Sequence, residues 1–346
     1  MIAWSIALVS FIIGLYLLTK SADLFVDGSV ALAHRLRVPP LIIGFTIVGF
    51  GTSAPELLVS LLASLQGDSI LALGNVYGSN ITNILLILGA CMVVAPIAIH
   101  RTLLKRDIPF LLLITVLVIL FCAGGTNAFT RIEGIILLLA FLLFTLWQIF
   151  SAMRHKAPLE TPQAEESPHP THHLSFKKAF LYTFGGLFSL IAVSKVLVSS
   201  ATWIAEALGK IVGLPTTTTE LIISVTIIAL GTSLPELMAS ISATRKGQDD
   251  IAVGNIIGSN CFNLCMVAGI SLIIQPVAAP DLPFDFRYRD LYMMLFTTLL
   301  VWIPGLFLWK RFRKHPSSSL LMGRRLGFIF LLLWIIYTLA VVLTTR

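Results

Sequence analysis

One stretch of this chain is written twice. Thr46 to Ser60 reads TIVGFGTSAPELLVS and is followed by GNVYGSNITN from Gly74 to Asn83. Thr226 to Ser240 reads TIIALGTSLPELMAS and is followed by GNIIGSNCFN from Gly254 to Asn263. Both pairs are displaced by the same 180 residues, and Thr46 to Gly89 carries 19 identities in 44 ungapped positions. Apolar bias alone gives only a few, so the chain is read as a duplication, and any fold it adopts must accommodate two related halves.

The solvent of that fold follows from composition. The chain of 346 residues is 57% hydrophobic and 12% charged, whereas a soluble domain is about one quarter charged. Apolar runs fall at about 3–33, 38–65, 70–97, 108–123 and 132–152, then at about 178–208, 216–244, 250–276, 290–309 and 325–344. Each approaches or exceeds the roughly 20 residues that span a bilayer as a helix. The expected fold is an all-α membrane protein of ten transmembrane helices. Five spans per half is an odd number, so the second half must enter the membrane from the opposite side. The expected organisation is a first five-helix repeat (1–152), a cytoplasmic linker (153–177) and a second, inverted repeat (178–346), an arrangement typical of secondary transporters.

Placing the N-terminus outside puts 17 Lys and Arg in inside loops and five outside, with Lys20 and Lys195 inside spans. The positive-inside rule then puts both termini away from the cytoplasm. The first 18 residues have neither a basic leader nor a small-residue cleavage site, and are kept as the first span. The net charge of +7 lies in breaks between apolar runs, with no separate basic domain, so no nucleic-acid partner is expected. Cys91, Cys122, Cys261 and Cys265 lie in apolar stretches without a CxxC pair and read as small core residues. His169, His172 and His173 sit in the Pro-rich linker, where no packed scaffold supports a metal site.

The repeated GTSxPE segment puts polar groups in mid-membrane. Glu56 and Glu236 lie inside apolar runs, where an acidic residue costs on the order of 3 kcal/mol, so both should face the protein interior. Pro55 and Pro235 lack an N–H, which frees the carbonyls of Gly51 and Gly231 and should kink or unwind both helices beside the glutamate. Free carbonyls next to a carboxylate suit a hard cation such as Ca²⁺ or Na⁺. Thr52 and Ser53 share the Glu56 face while the helix persists, as Thr232 and Ser233 share that of Glu236. Ser79 with Asn83, and Ser259 with Asn263, are spaced i, i+4 and present a hydroxyl and an amide to one side. A lone membrane Ser or Asn is more often helix glue, but two buried glutamates in related copies point to an ion site. Gly74 with Gly78, and Gly254 with Gly258, form GxxxG patterns and are assigned to close helix packing. Asp68, Asp249 and Asp250 precede spans, where N-capping and the helix dipole account for them, with cation attraction as the alternative. Asp23 and Asp27 share a face with Lys20 and read as an intrahelical ion pair.

The paired GTSxPEL and GNxxGSNxxN segments resemble the α-repeats of the sodium/calcium exchanger (cation/Ca²⁺ antiporter) superfamily, particularly its compact bacterial members. The resemblance covers essentially the whole chain and implies alternating access, with a Ca²⁺ site flanked by Na⁺ sites. It makes Glu56 and Glu236 the central carboxylates and Thr52 and Thr232 carbonyl donors. Ser53, Ser79, Ser233 and Ser259 become further oxygen ligands, with the carbonyls of Gly49 and Ala229 one turn earlier. It also implies that the first and sixth helices slide against the remaining bundle. The chain departs from the pattern at Asn83 and Asn263, where well-known members carry aspartate in at least one repeat.

The expected function is therefore a calcium:sodium antiporter of a bacterial inner (cytoplasmic) membrane, with Ca²⁺ and Na⁺ as transported substrates in a lipid bilayer. No cofactor and no obligate protein partner are expected. A Ca²⁺/H⁺ exchanger is the alternative, because the asparagines leave one fewer titratable group. A cation channel is a third reading. An intramembrane enzyme is not expected, since the spans carry no HExxH and no obvious Ser/His or Cys/His pairing.

Overall fold

Apolar segments in lipid must satisfy their backbone groups internally, and they do so here as helices. The computed structural model describes residues 2–123, 129–154, 174–212, 229–277, 286–307 and 319–344. In chain order these form α1 (Ile2–Leu36), α2 (Pro40–Thr52), α3 (Ala54–Leu65), α4 (Ser69–Val94), β1 (Ile97–His100), α5 (Leu103–Ala123), α6 (Arg131–Arg154) and α7 (Phe176–Val212). There follow α8 (Ala229–Thr232), α9 (Leu234–Arg245), α10 (Asp249–Ile274), α11 (Leu291–Phe307), β2 (Ser319–Met322) and α12 (Arg324–Thr344).

Among the described residues seven helices are long and apolar enough to cross a membrane, and the bent pair α2–α3 makes up to eight. These coincide with eight of the ten expected spans. The first part of the expected seventh span (216–244), most of the linker and its three histidines lie outside the described residues. The expected ninth span appears as α11, a helix of 17 residues preceded by a π-helical turn at Phe286–Asp290. The fourth begins five residues earlier than expected, because Leu103–Asp107 forms a π-helical turn that carries its charges into the helix. Asp107 is fully buried there. Arg106 Nε lies 2.8 Å from Asp107 Oδ1, and Gln148 Nε2 donates to the same oxygen at 3.0 Å.

Small residues set how closely the helices pack, as expected where lipid removes the hydrophobic drive between helices. α1 runs along α7, where a Cβ on Gly28 would lie 2.3 Å from the Thr183 nitrogen and one on Gly186 2.6 Å from the Phe25 nitrogen. α2 meets α10 along Gly44, Gly254 and Gly258, so the packing assigned to the second GxxxG holds, whereas in the first a Cβ on Gly78 would meet nothing within 4 Å and the close packing assigned there is absent at that residue. The buried core is centred on α4 and α10, and a second cluster lies between α1, α7 and the neighbouring faces of α2 and α9.

The chain is not wholly helical. Pro96 cannot continue α4, and Ile97–His100 pairs antiparallel with Ser319–Met322, Ile97 opposite Met322 and His100 opposite Ser319. Asp68 caps α4 as expected, its Oδ1 accepting from Leu71 N at 2.9 Å. Asp249 and Asp250 depart from the capping expectation. Gln248 occupies the cap position, and both acids turn to the ribbon. Asp249 Oδ2 accepts from Ala98 N at 2.8 Å, and Asp250 pairs with His100. The hydrogen bond to Asp250 raises the His100 pKa above its usual value, with partial burial opposing it. A raised folded-state pKa gives stability that is present below the unfolded value near 6.5 and is lost as pH rises through the folded value. The apparent Tm of the wild type should therefore fall relative to His100→Gln, whose profile lacks this component, as pH rises above the unfolded value near 6.5. The effect should be small because the imidazole is 46% exposed. Scanning both proteins at a fixed heating rate across this rise in pH checks it.

Asp23 and Asp27 do not pair with Lys20. Their face is turned to the C-terminal end of α9, where the capping residue Lys246 has Nζ 2.7 Å from Asp27 Oδ1 and donates to Asp23 O at 2.8 Å, while Ser242 Oγ donates to Asp23 Oδ1 at 2.6 Å. Lys20 instead lies over the Tyr16 ring, 5.8 Å from its centroid. An exposed pair within one helix is worth only a few tenths of a kcal/mol, and the partly buried contact between helices prevails.

Candidate cation site

Both helices break beside the glutamate as expected, but the break falls at the serine two residues before the proline, not through an N–H missing from the middle of a helix. Ser53 leaves the helical conformation at φ −82°, ψ 7°, and Ser233 does so at φ −88°, ψ 5°. Pro55 and Pro235 then fall in the first turn of a new helix, where the missing N–H has no helical partner to lose. The α2–α3 bend is 46°. Glu56 and Glu236 therefore sit in the first turns of α3 and α9, at helix N-termini that favour negative charge.

Because the helix breaks at the serine, the projection that placed Ser53 beside Glu56 fails. Ser53 Oγ donates across the halves to Glu236 Oε1 at 2.8 Å, and Ser233 Oγ donates to Glu56 Oε1 at 3.2 Å. Each carboxylate is held by a hydroxyl from the other copy. Glu56 and Glu236 are each only 1% exposed, and their second oxygens, Oε2 in both, are buried without a hydrogen-bond partner. Two such oxygens at the centre of a membrane protein are costly unless a positive charge shares them.

The remaining expected residues divide. Ser259 Oγ donates to the Gly49 carbonyl at 3.1 Å, bringing those two together. Thr52 Oγ1 lies 3.0 Å from both Val48 O and Asn255 Oδ1. Thr232 Oγ1 is buried without a partner. Asn83 opens a π-helical turn in α4 and donates through Nδ2 to Asn260 Oδ1 at 2.9 Å, its own Oδ1 remaining unpartnered. Asn263 opens the equivalent turn in α10, with both amide atoms buried and unpartnered. Ser79 is buried on α4, and Ala229 begins α8.

Four asparagines at this level were not singled out from the sequence. Asn75 Nδ2 donates to Glu56 O at 3.2 Å and Ser60 Oγ at 2.9 Å; Asn255 Nδ2 donates to Glu236 O at 3.3 Å and Ser240 Oγ at 2.9 Å. Asn80 and Asn260 exchange side chain to backbone, each Nδ2 donating to the other's carbonyl at 3.2 Å. All four recur at the repeat offset within GN and GSN, and that recurrence was the available signal.

The chemistry of this oxygen set is narrow. Among the described residues no cluster of three or more His, Cys, Asp or Glu occurs, and the four cysteines are buried and free. Two carboxylates among hydroxyl, amide and carbonyl oxygens suit a hard cation rather than a thiolate- or imidazole-seeking metal.

Ionisable and amide groups gathered inside a helical membrane bundle are the usual mark of an ion pathway. The chain belongs to the sodium/calcium exchanger protein family, whose model matches residues 6–150 and 178–343. It is 40% identical over 331 residues to CaxA of Alkalimonas amylolytica, covering 94% of this chain and 98% of that one. It is 29% identical over 318 residues to the sodium/calcium exchanger MaX1 of Methanosarcina acetivorans, covering 80% of this chain and 85% of that one. Among solved structures it resembles the sodium-calcium exchanger NCX_Mj soaked with zero Na⁺ and Ca²⁺, with a TM-score of 0.76 and 26% identity over 97% of this chain and 98% of that one. The protein is thus a multi-pass membrane transporter, and an inner-membrane location fits its relatives.

Proposed function

We propose that this protein expels Ca²⁺ from the cytoplasm in exchange for inward Na⁺. The observation that carries the reading is the pair of buried carboxylates, each hydrogen-bonded through one oxygen by the other copy's serine and unpartnered at the second. Two carboxylates neutralise one Ca²⁺, and the same charge can be met by more than one Na⁺. Glu56, Glu236, the Thr52 and Thr232 carbonyls, Ser53, Ser79, Ser233, Ser259, Asn83, Asn263 and the Gly49 and Ala229 carbonyls form the proposed ligand set. Overlapping ligands make the two ions compete, so fully loaded forms cross and partly loaded forms do not. The ten-span, two-repeat plan with both termini outside is part of this proposal, and the identical offset of the two motifs supports it.

One observation favours a second reading. Asn83 and Asn263 are amides and supply no charge, so the site holds fewer titratable groups than well-known family members, and H⁺ could take the place of Na⁺ as counter-ion. The test loads proteoliposomes with Na⁺ and dilutes them into Na⁺-free medium containing radioactive Ca²⁺. Uptake above a Na⁺-equilibrated control, lost when the gradient is collapsed, is the expected result. Uptake that ignores Na⁺ and follows an outward H⁺ gradient would replace it with Ca²⁺/H⁺ exchange, and flux that only follows the Ca²⁺ gradient would indicate a channel.

A further inference from the structure

Asn75 and Asn255 lie outside the proposed ligand set, yet each grips the glutamate-bearing helix at the glutamate itself. The Asn255 amide reaches the carbonyl of Glu236 and the hydroxyl of Ser240. Those positions are i and i+4, one turn apart on a single face of α9. Two anchors on one face fix the rotation of α9 about its own axis, and the Glu236 carboxylate leaves the residue whose carbonyl is held. Asn75 makes the same two-pronged contact with Glu56 and Ser60 on α3. Asn255 does more. Its Oδ1 also accepts from Thr52 Oγ1 on α2, so one fully buried amide ties α9, α10 and α2 together.

We propose that Asn75 and Asn255 are positioning residues that aim the two carboxylates at the cation, and that this aim gives the site its preference for Ca²⁺ over a larger divalent ion, Asn255 contributing the greater part. This rests on the reading of Glu56 and Glu236 as cation ligands. Membrane asparagines commonly serve as glue between helices, and glue has no reason to choose the glutamate carbonyl in both copies. Ca²⁺–oxygen distances span only 2.3–2.6 Å, and a binding constellation must be held within about 0.5 Å to keep its geometry. A glutamate helix free to rotate would let its carboxylate recede, which harms the smaller ion more than Sr²⁺. The bond from Asn255 is wholly buried, so water does not replace it when it is removed.

The test uses the full chain in Na⁺-loaded proteoliposomes and compares wild type with Asn255→Ala, Asn255→Asp and Asn75→Ala. The aspartate keeps the acceptor for Thr52 but has no N–H for the Glu236 carbonyl. Removing a group that orients a metal ligand typically costs about 10–100-fold in metal affinity. Both Asn255 variants are expected to raise the KM for Ca²⁺ by about that factor, with maximal rate largely retained and the Sr²⁺/Ca²⁺ uptake ratio increased. Asn75→Ala should shift both in the same direction by less. Folded, monodisperse variants with wild-type KM and wild-type Sr²⁺/Ca²⁺ ratio would overturn the proposal, as would a fall in maximal rate alone, which packing by itself explains. Should the Asn255 variants not fold, Asn75→Ala decides by the same two readouts, since that side chain is only half-buried. Wild type is the control that separates the two readings. Absence of Ca²⁺ uptake in wild type under either an outward Na⁺ or an outward H⁺ gradient overturns the proposed function and this inference together; uptake driven by H⁺ alone overturns the Na⁺ coupling, and the same two readouts then decide the inference; normal uptake with unaltered variants overturns the inference alone.

Discussion

Na⁺-loaded proteoliposomes carrying Glu236→Gln, or Glu56→Gln, are expected to lose Ca²⁺ uptake by roughly two to four orders of magnitude. The substitution preserves shape and removes one of the two negative charges proposed to balance the ion. Ca²⁺ would then enter a buried site with one charge uncompensated. Removing one partner of a buried charge pair costs about 3–5 kcal/mol, and each 1.4 kcal/mol is about a factor of ten. The stability of the ion-free protein should move the other way. Two carboxylates, each 1% exposed and each with an unpartnered oxygen, repel one another and are poorly solvated. A neutral amide relieves both costs. Thermal scans should show the variant more stable than wild type in chelator and without the rise in apparent Tm that Ca²⁺ gives wild type by mass action. Normal exchange by either variant would remove the central site from the account.

The second large effect is steric. Gly258→Val should abolish transport and sharply reduce the yield of monodisperse protein. A Cβ at Gly258 would lie 2.3 Å from the Phe45 carbonyl oxygen and 2.7 Å from its Cα. Both are backbone, so relief requires α2 and α10 to separate. Overpacking of this kind costs about 1–3 kcal/mol and occasionally more. The damage should not stop at stability, because the same seam carries the Ser259–Gly49 and Thr52–Asn255 hydrogen bonds. Gly185→Ala is the control for a glycine whose added Cβ has room. Its added Cβ meets nothing nearer than Leu181 Cδ1 at 4.0 Å, and transport and size-exclusion profile should remain those of wild type.

Glu56, Glu236 and Gly258 show how much of the site the sequence carries on its own. Glu56 and Glu236 were conspicuous because a carboxylate in an apolar run has no inexpensive place but the interior. Gly258 was conspicuous because small residues four apart mark a close crossing. Lipid itself made most spans legible, since it leaves the backbone few alternatives to a helix. What escaped depended on where one helix lies against another. The partner of Asp27 is 219 residues away, and no periodicity within α1 points to it. Ser53 was placed on its own glutamate's face because that projection assumes an unbroken helix. A single residue with ψ near zero invalidates it and swings the hydroxyl to the other half. Asn75 and Asn255 were repeated as faithfully as the serines. Their role needed the knowledge that the glutamate carbonyl, rather than the carboxylate, was within their reach.

The crossed serine–glutamate pairs bear on how such a duplicated chain can change. A substitution at Ser53 is felt first by Glu236 and one at Ser233 by Glu56, so neither copy can be altered in isolation. Divergence of one half is constrained by the residues of the other. A protein assembled from two identical halves would have begun with this reciprocity, and fusion into one chain would have preserved it. The two segments have drifted apart over more than half of their compared positions, yet both retain GTSxPE.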